Sequence, residues 1–239
     1  MEAADLSGVN SERFQPLPRS NRVTVKTIDQ ISDDLRELES AHYYSEDFHW
    51  LSAVRAYFDA LSDEERALFQ RVLFKRMMEE GSMTDILLCS VVTVPDVASV
   101  LAAKLDRESV PSQLTRALLT ALQQYRGSDV FRAVARFVDS DQENEALRAL
   151  ARIDFARALP FTARAVRKAH AHGLVLHILH DRRKSVGLDG LILELRAFAA
   201  GWNEPNLLRD LDAAAHAKPA DYNPFPPDEL ARLRAGLSA

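Results

Sequence analysis

The sequence predicts an all-α fold of stacked antiparallel helical hairpins. Three observations carry that prediction. The chain of 239 residues holds 34 Ala and 32 Leu against 30 Val, Ile and Thr together; this favours helix formers over β-branched strand formers. Glycine contributes 8 residues, about half its usual share of roughly 7%, too few for the turns of an all-β sandwich. Apolar residues recur at +3 and +4 in segment after segment, the period of a helix with one buried face. The hydrophobic content of 47% with 27% charge excludes a wholly disordered chain.

Residues 1–26 read as a loosely structured leader, with Pro16 and Pro18 among polar residues and Val23 and Val25 alternating with polar ones. Residues 27–217 read as a single helical domain. Thr27 to Gln30 has the form of a capping box, and Ile28, Ile31, Leu35 and Leu38 follow as one stripe. A second helix from Ser45 carries Phe48, Leu51, Val54 and Phe58. Ser62 to Glu65 is another capping box; it opens a helix bearing Phe69, Leu73 and Met77, which Gly81 closes. Ser82 starts an apolar helix through Val94, and Pro95 suits the first turn of the next.

The same punctuation continues. Helices are expected over 111–125, from Ser128 through Val138, over 141–158, and from Pro160 to Gly173. Leu174 to Leu179 is a short apolar run, read as helix. Further helices span 188–201 and 205–217. Pro219, Pro224, Pro226 and Pro227 mark 218–239 as a Pro-rich tail, with a short helix from Asp228.

Grouped in pairs, the breaks define units at 62–94, 95–127, 128–159, 160–186 and 187–217. Each holds about two short helices, which cannot bury both apolar faces without a neighbour. Over 62–217 this repeat-like pattern resembles a HEAT-like or armadillo-like α-solenoid. The resemblance implies a continuous stacked core and an extended binding surface. An irregular helical bundle is the alternative architecture.

Charge is unevenly spread. The net charge of −5 averages −8 over 1–110, +5 over 111–201 and −2 over 202–239. Arg132 and Arg136 are four apart, as are Arg148 and Arg152, so each pair shares a helix face. Arg157, Arg164, Arg167, Lys168, Arg182 and Arg183 extend the basic run, in which Asp154 and Asp181 are the only acids between 148 and 184. These ten cations are the expected contact residues for a protein partner with an acidic surface. Nucleic acid is the alternative partner, since a local basic stripe can bind it despite a negative total. A DNA-repair glycosylase built on HEAT-like repeats is similar in length; that resemblance implies roles for Asp154 and Phe155 at a basic face.

Chemistry is weakly signalled. Common phosphate-loop, dinucleotide, zinc-protease and serine-hydrolase signatures are absent from the sequence. Glu39-x-x-His42 and Glu46-x-x-His49 resemble the pairs by which helical carboxylate proteins hold di-iron, so a helical metal-dependent enzyme is a further alternative. His170, His172, His177 and His180 cluster, and Arg167-x4-His172 resembles the motif of helical HEPN ribonucleases. Cys89 sits in an apolar stretch and reads as a buried, inert thiol. No cofactor is expected. No run of 18 apolar residues occurs, and the N-terminus lacks a signal-peptide pattern, so the expected setting is cytoplasmic, with no membrane partner.

Overall fold

The structure, a computed structural model, describes residues 25–40, 49–107, 112–202, 206–217 and 223–238. It is all-α, with no strand among the described residues. The elements are α1 (Ile28–Ser40), α2 (His49–Ala60), α3 (Asp63–Glu79), α4 (Met83–Leu88), α5 (Val97–Leu105) and α6 (Ser112–Leu122). They continue as α7 (Ser128–Ala135), α8 (Glu143–Ile153), α9 (Phe155–Val166), α10 (His172–Gly201), α11 (Leu207–Ala217) and α12 (Pro227–Ser238).

Capping fixes several starts. The Thr27 hydroxyl accepts the Gln30 N–H at 3.3 Å, and the Gln30 amide oxygen accepts the Thr27 N–H at 2.8 Å. Ser62 with Glu65 closes the same reciprocal pair at α3, and Ser82 with Asp85 does so at α4. Each box satisfies backbone N–H groups that the first helical turn leaves without partners.

Four boundaries differ from expectation. The helix opened by Ser82 ends at Leu88, and irregular turns lead to Pro95. Pro95 stands outside α5, separated from it by Asp96 at φ 62°. The break expected at Pro160 falls at Asp154 instead: its backbone is extended and its carboxylate accepts the Arg157 N–H at 3.1 Å. Pro160 then lies inside α9, where it withholds one N–H from the helical ladder. Gly173 ends nothing; α9 stops at Val166, a 3-10 turn covers Ala169–Ala171, and Gly173 is in the first turn of α10.

Packing follows chain order. The principal contacts join helices one or two places apart. Contact runs α1 to α3 to α5 to α7 along one series and α2 to α4 to α6 to α8 to α10 to α12 along the other. Helix α10 is broken by Gly187 at φ 77°, ψ 168°, which only glycine adopts without strain. Its first arm meets α8 through Arg152–Asp181 and α9 through Arg182 over Phe155, and α12 pairs with both arms, through Arg183–Glu229 and Arg232–Asp189.

One connected core runs from Ile31 and Leu35 through Phe69, Leu118 and Leu150 to Leu191 and Leu237. Residues 223–238 join it. Phe225, Leu233 and Leu237 are buried, and the Phe225 ring meets His180 edge-on at 5.4 Å. Cys89 is fully buried, and burial pushes its thiol up to about 12. No described helix is long and apolar enough to cross a membrane.

Candidate functional site

A cleft of about 690 Å³ opens on the side formed by the end of α6, α8 and the first arm of α10. Helical period builds two of its walls. On α8, Arg148, Ala151 and Arg152 share one face. On α10, His177, Ile178, Asp181, Arg182, Lys184 and Ser185 do the same at offsets of one, three or four. Gln123, Gln124 and Arg126, past the end of α6, close the third side.

The break at Asp154 shapes the cleft floor. It starts α9 with Phe155 turned inward beneath Arg182, whose guanidinium lies 5.1 Å from the ring centroid. Glu194 holds that guanidinium with both oxygens, one contact being 2.9 Å, and this raises the Arg182 pKa further above its ordinary value. Arg126 donates to the Ile153 carbonyl at 2.7 Å, the last residue of α8. A cation at a helix C-terminus is favoured by the helix dipole, so this contact positions Arg126 at the rim.

The electrostatic balance of the lining is unequal. Five cations, Arg126, Arg148, Arg152, Arg182 and Lys184, face it with one carboxylate, Asp181. Asp181 is shared: Arg152 lies 3.6 Å from it and Lys184 lies 3.5 Å away. Arg182 is answered from outside the lining by Glu194. Among the described residues no carboxylate pairs with Arg126 or Arg148, and Arg148 is exposed. A lining of this charge could hold an anion through charge-assisted hydrogen bonds.

Of the ten expected contact residues, Arg148, Arg152 and Arg182 meet in this cleft. The other seven lie elsewhere. Arg132 pairs with Asp129 on its own helix, and Arg136 reaches Asp106 beyond α5. Arg157 stacks 4.2 Å from the Phe131 centroid and Arg164 stacks 5.1 Å from that of Phe161. At the end of α9, Arg167 faces Asp210 at 3.5 Å and Lys168 faces Glu143 at 2.5 Å. Arg183 turns to Glu229 of α12. Arg126 was absent from the expected set because it lies outside the basic run and has no cation three or four residues away. Its cue was Tyr125-Arg126-Gly127 at a helix end, where a cation can meet carbonyls.

The other candidate groups also have definite places. Glu39 lies 2.8 Å from Arg76 of α3. The remaining members of that metal set, His42 and Glu46, fall outside the described residues, as does the side chain of His49. No three His, Cys, Asp or Glu side chains converge as a metal site among the described residues. His170 precedes α10, so it does not share a helix with His177 and His180. Arg167 and His172 likewise sit on different elements, the end of α9 and the start of α10. Asp154 is occupied as the cap of α9. The chain matches no protein-family model, no curated protein and no solved structure.

Proposed function

We propose that this chain is a non-enzymatic helical-repeat adaptor that binds an acidic segment of a protein partner in the cleft between α8 and α10. One observation carries the reading. Arg126 and Arg148 face the cleft with no carboxylate among the described residues to answer them, and the lining holds a single acid. Leaving like charges together costs a few tenths of a kcal/mol per neighbouring pair unless an anion offsets it. The order of packing supports the same reading: most helices touch the one two places on, the pattern expected of a solenoid with a long binding surface.

Nucleic acid is the weaker occupant. Single strands are held by aromatic rings open to stacking, whereas Phe155, the cleft's aromatic, is 6% exposed and covered by Arg182. The metal-enzyme alternative has less support, because Glu39 is already engaged by Arg76.

The test is a fluorescence-polarisation titration with a labelled poly-glutamate peptide at low and physiological salt. Binding should weaken with salt, and Arg126→Glu with Arg148→Glu should reduce it at least about tenfold, the loss expected when two charge-assisted contacts become repulsive. Unchanged affinity in the double variant would remove this cleft as the contact surface.

A further inference from the structure

The cleft's charge arrangement points beyond acidity in general to one anionic group. We infer that it recognises a phosphomonoester on a partner protein segment, a phosphoserine or phosphothreonine; this rests on the acidic-segment reading above. The first argument is charge density. Asp181 is divided between Arg152 and Lys184, so it leaves those two with one surplus charge. Arg126 and Arg148 add two more. A glutamate brings one negative charge. A phosphomonoester brings about −1.5 to −2 and three acceptor oxygens to one point.

The second argument is donor geometry. Arg148 has no described partner, so its whole planar fork is available. Arg126 spends one nitrogen on the Ile153 carbonyl and is thereby held in place with other N–H groups to spare. Planar forks of this kind match phosphate oxygens in pairs. Neutral donors complete the wall: the amides of Gln123 and Gln124 and the Ser185 hydroxyl line the same cleft. They can donate to phosphate oxygens that the guanidinium groups leave open. A phosphodiester backbone carries one charge per group, spaced along a strand, and uses the enclosed surplus less well.

Four labelled probes of equal length separate the outcomes: a peptide with two phosphoserines in an Ala/Gly background, its glutamate and serine counterparts, and a single-stranded RNA. The phosphopeptide is expected to bind about tenfold tighter than the glutamate peptide, given its doubled charge and stronger hydrogen bonds. Arg148→Ala, at an exposed side chain without a described partner, should weaken the phosphopeptide at least fivefold. Asp181→Asn, which removes the one lining carboxylate, should tighten it. Equal affinity for phosphopeptide and glutamate peptide overturns phosphate recognition while leaving the acidic-segment reading intact. Tighter binding of RNA overturns the protein partner. Binding of none of the four overturns both readings together.

Discussion

Arg76 shows how much a single side chain can settle. Its guanidinium lies 2.8 Å from Glu39 of α1 and 2.7 Å from Asp85 of α4, and the Asp85 side chain is 3% exposed. One cation therefore separates two shielded carboxylates and ties three helices. Arg76→Met should destabilise the fold by about 3 kcal/mol, because a buried charge loses its partner. Adding Asp85→Asn should recover part of that loss, read as a non-additive cycle in urea denaturation. Glu65 gives a second residue-scale expectation. Its buried carboxylate accepts the Lys26 N–H, the Ser62 N–H and the Ser62 hydroxyl, all between 2.7 and 2.9 Å. The Lys26 backbone bond is the largest cause of its lowered pKa, followed by Ser62. A lowered folded value contributes stability above the unfolded value of about 4.3, and that stability disappears as pH falls through the folded value. Denaturation midpoints should thus drop in this acid range, and Glu65→Gln should flatten the drop. The Ser62–Glu65 box was legible because its partners are three residues apart. The Glu39–Arg76 pair was not, since nothing local in the sequence brings α1 against α3.

At the scale of elements, the decisive residues are those that stop helices. Hydrophobic period located the helical segments, but one helix was expected to run to Ala158 and the next to open at Pro160, whereas the structure breaks at Asp154. Proline removes one backbone donor, yet a preceding Asp that caps the next helix competes successfully for the boundary. Gly187 was the expected limit of one unit, and its φ of 77° with ψ of 168° explains why. No atom lies within 4 Å of a Cβ built there, so an added methyl meets backbone strain and no clash. Gly187→Ala should cost about 1–3 kcal/mol for that strained conformation, or relieve it by straightening α10. Thermal denaturation reads the first outcome, and faster hydrogen exchange in the second arm reads the other. A neutral change in both would mean that the bend is not required.

Across the whole molecule, the total charge of −5 conceals the cleft, while the segment count exposes its sign. What the count could not supply was direction. Arg148 and Arg157 belong to one basic run, yet one faces the cleft and the other stacks on Phe131. Arg148 lies on α8 and Arg157 on α9, and the break at Asp154 between them turns the two onto different helices. The neighbour-only packing makes a molecular-scale prediction. Deleting 218–239 uncovers the α10 surface against which α12 packs. Hydrogen exchange should accelerate in α10 and α11 and stay nearly unchanged in α3 to α6, because free energy in such stacks is shared mainly between neighbours. A uniform acceleration along the chain would describe a single cooperative bundle instead.

The same order of contacts bears on how the chain is made. Each helix finds its main partners within the next two elements, so the loops to be closed are short and their closure entropy is small. Low contact order of this kind gives fast folding. As the polypeptide leaves the ribosome, α1 to α3 can pair before α10 has been translated, and each later helix adds onto a surface already formed. The basic cleft comes late in that sequence, because its final wall is the first arm of α10. A nascent chain therefore completes its basic cleft only after α1 to α9 have been translated.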